Sequence, residues 1–299
     1  MNFSIRPPAA VSGDIGQIAD AVADLRSEHP DNHLKTEGQR MIMPGSSNRP
    51  IITLLSDFGS LYPAEMKGAI LSRTRDAVLV DISHHIPPQD IRAGAFALMV
   101  AARAFPEGTV HLAVVDPGVG TDRLSLVVES GGHLFVGPDN GLLIPAAGSL
   151  GSPRAWMIDP AFARDAAPTF HGRDVFAPAA AMLACGAKPQ SFGPRVEPKT
   201  IDFGKAEVFN DGLETEVIYV DGFGNLILNA IEIPEGELVI SGRRVRRVRT
   251  YAQAGYDEPL ITIGSHGFAE IAVNGGSAKD LFGLAPGDRI VLERENCSE

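Results

Sequence analysis

The sequence predicts two domains of different class: an α/β domain with a mostly parallel sheet flanked by helices, then an all-β domain of barrel or sandwich type. Three observations carry this. From Ile51 to about Gly186, short apolar runs alternate with segments of helical period, the order that builds parallel sheets through helical crossovers. After about Pro198 the helical periods stop, and seven short β-type runs follow, separated by turns such as Asn210-Asp211-Gly212 and Pro286-Gly287-Asp288. The 299 residues, 44% of them hydrophobic, are enough for two cores. The expected divisions are a loosely structured arm over residues 1–49, the α/β domain over 50–198 and the β domain over 199–299.

In the arm, residues 14–25 have helical period between flanks rich in Pro, Ser, Asn and Gly, which predicts a short amphipathic helix. Met41 and Met43 sit just before the first strand and read as candidate translation starts. The strand beginning at Ile51 is followed by a helix over 62–73, a strand over 77–82 and a helix over 91–105 capped by Asp90. The apolar run 110–113 is the central strand. Strands over 124–129, 134–136 and 156–158 follow, and the Ala-rich segment 174–186 reads as a helix stopped by Gly186. The β-type runs lie at 216–220, 226–229, 238–240, 245–248, 260–263, 270–273 and 289–292. The cluster Arg243 to Arg249 interleaves Arg with Val and reads as a solvated strand face. No internal repeat is visible.

A net charge of −11 without a long basic tract argues against nucleic acid and anionic membrane surfaces as partners and favours a cationic ligand. The two cysteines, Cys185 and Cys297, are too far apart, and too far from the histidines, to form a metal motif; they read as free thiols of a reducing cytoplasm. No stretch has the length and apolarity of a transmembrane helix.

The candidate chemistry centres on AVVDPGVGTDR, residues 113–123. A buried strand breaking into Asp116-Pro117-Gly118, with Gly120 two residues on, delivers a carboxylate to the carboxyl edge of the sheet, where open α/β sheets keep their sites. Arg123 at the far end of the loop can fold back onto Asp116; a surface ion pair on a sharp turn is the plain structural alternative. Asp57, ending the first strand, either caps a helix or grips ligand hydroxyls. Asp81, His84 and His85 end the second strand and offer nominal metal ligands, but adjacent strand histidines point apart, so a structural role is favoured. Pro138-Asp139-Asn140-Gly141 is a turn with an expected helix-capping role. His171 precedes a helix, whose N-terminal dipole opposes protonation and leaves the ring able to accept a proton.

Taken together, LLSDFG, MKGAI, VDISH, FPEGTVHLAVVDPGVGTDR, VGPDNGLL, FHGRDVFAPAA, VDGFGN and GSHGFAEIAVN, in that order between Ile51 and about Leu292, resemble the S-adenosyl-L-methionine hydroxide adenosyltransferase family, relatives of the fluorinating and chlorinating enzymes that use the same substrate. The arm lies outside the resemblance. What it implies is hydrolysis of S-adenosyl-L-methionine to adenosine and L-methionine without a cofactor or metal. It assigns catalysis to Asp116, Arg123 and His171, and ribose binding to Asp57. Asp221 and Ser265 match positions that hold the methionine end, and Asn225, Val273, Asn274 and Gly275 match the adenine side. It also implies a homotrimer with sites between the α/β domain of one subunit and the β domain of the next.

The chemistry agrees with that reading. Attack at the ribose C5′ of a sulfonium expels a neutral thioether, which needs neither a general acid nor a Lewis acid. Positioning a water in line contributes up to roughly 7–11 kcal/mol, whereas proton transfer adds about 10²–10⁴ in rate, so orientation dominates. Three alternatives stay open on the sequence alone. One is a halogenase-type substitution, against which Asp116 and Gly172 argue. Another is a metal-dependent phosphohydrolase on Asp57, Asp81, His84 and Asp116. The third is a nucleoside-binding protein without turnover. On the sequence, Asp116→Ala is expected to abolish turnover and leave the fold intact.

Overall fold

The computed structural model describes residues 49–209 and 212–294; the predicted arm helix, Met41, Met43, Asn210, Asp211 and Cys297 lie outside the described residues. The described residues divide into two compact units, 49–202 and 203–294.

The first unit is built on a seven-stranded sheet of β1 (Ile51–Ser56), β2 (Val78–Ser83), β3 (Val110–Val114), β4 (Ser125–Ser130), β5 (His133–Pro138), β6 (Arg154–Met157) and β7 (Arg195–Val196), in the order β2-β1-β3-β5-β4-β6-β7. Neighbours from β2 to β5 run parallel, and β4, β6 and β7 each pair antiparallel, so the sheet is mixed and its parallel half carries the candidate residues. β3 and all of β1 after Ile51 are buried, which is why both read as unbroken apolar runs. In register, Ser56 lies beside Val114, so Asp57 and Asp116 leave the sheet on the same carboxyl edge. Helices α1 (Tyr62–Leu71), α2 (Ile91–Ala102), α3 (Ile144–Leu150) and α4 (Ala177–Ala184) complete the unit. Met66 and Ile70 of α1 and Ala177, Ala180 and Ala181 of α4 share a core with Ile52, Leu54, Leu112 and Val114.

Asp90 caps α2 as expected, its Oδ1 accepting from Ala93 N at 2.9 Å. The capping role expected of Asp139-Asn140 is not what forms: α3 begins at Ile144, where Pro145 needs no amide acceptor, and has no side-chain cap. Instead Asp139, buried, accepts from Lys199 N at 2.7 Å, and Asn140 Nδ2 donates to Val115 O at 2.8 Å, bracing the strand end that leads to Asp116. The single helix expected over 174–186 opens as a π turn, Gly172–Phe176, before α4. Pro178 has no amide to continue an α ladder back to Asp174, and Ala177 N bonds Gly172 O five residues back instead. Cys185, just past α4, is a free thiol.

Away from the carboxyl edge, Thr53 Oγ1 lies 2.8 Å from His111 Nδ1, and His111 Nε2 lies 3.1 Å from His133 Nδ1, in a buried chain stacked on Phe135. Burial, and then the neighbouring His133, push the His111 pKa from 6.5 down to about 3. Because the folded state disfavours the charged form, it binds fewer protons than the unfolded chain between those values. The stabilisation is therefore complete above pH 6.5 and is lost as pH falls toward 3, at up to about 1.4 kcal/mol per pH unit. Urea midpoints at pH 7, 6 and 5 should fall in the wild type and fall less in His111→Gln; equal slopes would remove His111 from the acid response.

The second unit is a closed barrel of β9 (Gly212–Val220), β10 (Leu226–Leu228), β11 (Leu238–Ile240), β12 (Arg243–Arg247), β13 (Pro259–Ile263), β14 (Ala269–Val273) and β15 (Arg289–Arg294). The order is β10-β14-β13-β12-β11-β15-β9, and β9 pairs back onto β10; β8 (Glu207–Phe209) adds to β9 outside the ring. Closure leaves the ring without a free edge, so the barrel form of the expected β domain is the one that forms. Leu213, Val217, Leu226, Leu228, Ile261, Ile271 and Leu292 fill the interior. Val245 is buried between exposed arginines, as a solvated strand face requires. Among the described residues no helix is long and apolar enough to cross a membrane.

Candidate active site

The loop after β3 folds as its glycines and Thr121 dictate. Val119 N bonds Asp116 O, Thr121 N bonds Gly118 O, and Thr121 Oγ1 closes the same turn at 2.7 Å, which returns Arg123 to Asp116. Arg123 Nε lies 3.0 and 3.1 Å from the two Asp116 carboxylate oxygens, and Nη2 donates to Oδ2 at 2.6 Å. The pair is not the surface bridge that sequence alone allowed: the side chains are 4% (Asp116) and 7% (Arg123) exposed. Arg123 Nη1 donates to Ser125 Oγ at 2.8 Å, and the guanidinium carbon sits 5.2 Å from the centre of the Phe176 ring.

The same Nη2 meets His171 Nδ1 at 2.9 Å. A guanidinium only donates, so Nδ1 is the acceptor and the neutral ring carries its proton on Nε2. Burial, and then Arg123, lower the His171 pKa, which agrees. This alters the role expected of His171. With Nδ1 held by Arg123, the ring cannot take up a proton without breaking that bond; what it presents is an N–H donor.

Two glycines make the meeting of these loops possible. Gly120 has φ of +77°, and a Cβ there would lie 2.8 Å from Pro168 O, three residues before His171. Gly120→Ala is therefore expected to push the 168–171 segment off Arg123 and lower kcat/KM about tenfold or more, with an unchanged circular dichroism spectrum. Unchanged kinetics would show that the contact is dispensable. Gly172 lies against Phe58, Phe170 and Met66, with no room for a side chain without displacement.

Asp57 Oδ2 accepts from Gln89 N at 2.8 Å, and Gln89 takes a left-handed φ of 65°. Asp81 and His84 are bound to each other at 3.1 Å; Asp81 also accepts from Lys67 at 2.6 Å, and His84 Nδ1 lies 2.8 Å from Ser56 Oγ. These side chains are occupied by one another, in keeping with the structural reading of VDISH.

In the barrel unit, Asp221 follows β9 and organises its own turn. Oδ1 accepts from Phe223 N and Asn225 N, and Oδ2 from Asn225 Nδ2, each at 2.9 Å. Asn225 is thus fixed by Asp221. Ser265 is exposed in the turn between β13 and β14. Val273 ends β14; Asn274 Nδ2 donates to Ala254 O at 2.8 Å, and a side chain at Gly275 would run into the Tyr256 ring. Sequence reading passed over Glu270, a carboxylate buried in β14 that accepts from the Tyr251 hydroxyl. Burial raises its pKa, and Asp221 adds to that. The signal was a lone acid in the apolar run AEIAV.

The structure joins Asp116, Arg123 and His171, places Asp57 on the same sheet edge, and gathers Asp221 and Asn225 in one turn of the barrel unit. The profile of the SAM hydroxide adenosyltransferase N-terminal domain matches residues 52–193, and that of the C-terminal domain matches 215–291. An (R)-S-adenosyl-L-methionine hydrolase of Thermus thermophilus is 43% identical over 82% of this chain and 99% of its own length. A fluorinase of Actinopolyspora mzabensis is more distant, 25% identical over 84% of this chain and 100% of its own. The crystal structure of an uncharacterized conserved protein from Thermotoga maritima superposes with a TM-score of 0.74 at 31% identity, covering 81% of this chain and 99% of that one. The chain belongs to the SAM hydroxide adenosyltransferase family.

Proposed function

We propose that this protein hydrolyses S-adenosyl-L-methionine to adenosine and L-methionine by attack of water on the ribose C5′. The observation that carries the reading is the buried Asp116–Arg123 pair with His171 bound to it, in a chain that matches the Thermus thermophilus hydrolase over nearly that relative's whole length. The O–C5′ bond forms as the C5′–S bond breaks. Sulfur keeps the electron pair and leaves as the neutral thioether of methionine. The water proton goes to the Asp116 carboxylate and on to solvent, while His171 Nε2–H donates to the oxygen and orients its lone pair.

The rival readings fit less well. A carboxylate at 116 repels the halide a halogenase must hold. Of the ligands a metal phosphohydrolase would use, Asp81 is taken by Lys67 and Asp116 by Arg123, cations that already neutralise them. No metal is needed on chemical grounds, since the leaving group departs neutral, and we place the reaction in the cytoplasm on the reading of the cysteines as free thiols.

Incubation with S-adenosyl-L-methionine in ¹⁸O-water tests this. Adenosine labelled at the 5′-hydroxyl, with methionine, is expected in the presence of a chelator. No adenosine, unlabelled adenosine, or a chelator-sensitive reaction restored by a divalent ion overturns it.

A homotrimer with shared sites belongs to the same proposal and rests on the family resemblance, since the ligand motifs are split between two units. Inactive Asp116→Asn and Asn225→Ala subunits, mixed one to one and allowed to exchange, should then regain up to about a quarter of wild-type activity, the fraction of sites drawing both halves intact. No recovery despite verified exchange rules out the shared site.

A further inference from the structure

Four side chains from three elements form one directed hydrogen-bond chain beside Asp57. Lys67 Nζ on α1 donates to Asp81 Oδ2 at 2.6 Å; Asp81 Oδ1 accepts from His84 Nε2 at 3.1 Å; His84 Nδ1 lies 2.8 Å from Ser56 Oγ; and Ser56 Oγ accepts from Phe58 N at 3.4 Å. Each role follows from the one before. Lysine only donates and carboxylate only accepts, so the imidazole carries its proton on Nε2 and offers Nδ1 to the Ser56 hydroxyl. That hydroxyl proton points to His84, which turns the serine lone pairs to the Phe58 amide.

The chain runs from a half-exposed end at Lys67 and Asp81 to a buried one, with His84 9% and Ser56 0% exposed. Burial lowers the His84 pKa and Asp81 only partly opposes it, which keeps the ring in its neutral, accepting form. Backbone bonds sew the same two strand ends together: Gly59 N to His84 O at 2.8 Å and Ile86 N to Ser56 O at 3.4 Å. Asp57 lies between Ser56 and Phe58, the two residues on which the chain ends. Gln89 N fixes its Oδ2 from a third side, which leaves Oδ1 for a ligand.

We propose that Lys67, Asp81, His84 and Ser56 are positioning residues for Asp57, and that through Asp57 they set the affinity of the site for the ribose hydroxyls of its nucleoside. The inference rests on Asp57 contacting the ribose in the function proposed above. Gripping a pair of neighbouring hydroxyls needs a carboxylate held within about 0.5 Å of one geometry. A strand-end aspartate whose backbone is pinned on both sides meets that demand. A staple serving stability alone would join the two strands without regard to Asp57, and apolar side chains of the same volume would serve it as well.

The test is calorimetric titration of adenosine and of L-methionine into the full-length protein, which does not depend on turnover. His84→Phe keeps a ring and loses both bonds; His84→Gln keeps one donor and one acceptor. Adenosine affinity is expected to fall about tenfold in His84→Phe and to stay within about threefold in His84→Gln, with methionine affinity unchanged in both. In an Asp57→Asn background His84→Phe is expected to cost nothing further, because both act through one contact. Ser56→Ala carries the same expectation should His84→Phe fold poorly. Additive losses, equal weakening of both ligands, or a lowered melting temperature with unchanged adenosine affinity overturn the proposal. Adenosine affinity unchanged by Asp57→Asn itself overturns the ribose assignment of Asp57, and the positioning role with it. A loss with Asp57→Asn but none with His84→Phe overturns the positioning role alone.

Discussion

Asp116→Asn is expected to lower kcat for S-adenosyl-L-methionine hydrolysis by about 10³-fold or more while changing KM little. The substitution keeps the shape of the side chain and removes the two properties the reaction uses. An amide has one acceptor oxygen where the carboxylate has two, and its NH₂ group would face Arg123, itself a donor, at the position now bonded to Nη2 at 2.6 Å. The attacking water then loses both a strong acceptor and a fixed direction, effects that appear in the transition state and hardly in substrate binding. Asp116→Ala is the poorer test, and the reason is structural. No feature of the local sequence marks that variant as unstable, but with the partners 4% and 7% exposed, truncation leaves a buried guanidinium without its counter-charge, which costs about 3–5 kcal/mol. Loss of activity in the alanine variant therefore mixes catalysis with stability, and its melting temperature should fall with its rate. Activity within tenfold of wild type in Asp116→Asn would remove the carboxylate from the reaction.

What could be read from the sequence was what lies close in the chain. The apolar runs at β1 and β3, the break at Asp116-Pro117-Gly118 and the return of Arg123 seven residues later are local, and the Asp116–Arg123 pair follows from them. Asp90 as a cap is equally local. The contacts that escaped join distant segments or depend on burial. Ser56 meets His84 across 28 residues, His111 meets His133 across 22, and Asp139 takes the Lys199 amide across 60. No periodicity reports such meetings. The Asp139 case also shows why a capping motif misleads: a carboxylate in a turn caps whichever free amide the fold brings to it, and here that amide belongs to the chain leaving the α/β unit rather than to the next helix. The tautomer of His171 was hidden for a related reason. A helix dipole says only that the ring stays neutral, whereas which nitrogen is free depends on a partner 48 residues away.

That partner supports the second large effect. Arg123→Lys is expected to lose about as much activity as Asp116→Asn, although it keeps the charge. The guanidinium serves three groups at once: Asp116 through Nε and Nη2, His171 through Nη2 at 2.9 Å, and Ser125 through Nη1 at 2.8 Å, in the plane that rests on Phe176. One ammonium on a flexible stem cannot reach all three, and whichever contact it keeps, either the carboxylate or the imidazole loses its orientation. Arg123→Ala adds a signature that lost packing alone would not produce. Burial first and Arg123 second lower the His171 pKa, so removing the cation lets that pKa rise, and residual activity should disappear at a higher pH than in the wild type as the ring takes a proton on Nδ1. The sign follows from the carboxylate that remains: with the guanidinium gone, a proton on Nδ1 draws the imidazolium to Asp116, which raises the ring's pKa and takes up the acceptor that the water needs. Added guanidinium should restore part of kcat in Arg123→Ala by refilling the space over Phe176, with no effect on Asp116→Asn. A lysine variant within tenfold of wild type, or an acid limb of the pH profile that does not move in Arg123→Ala, would show that Arg123 holds the fold together and leaves the chemistry to others.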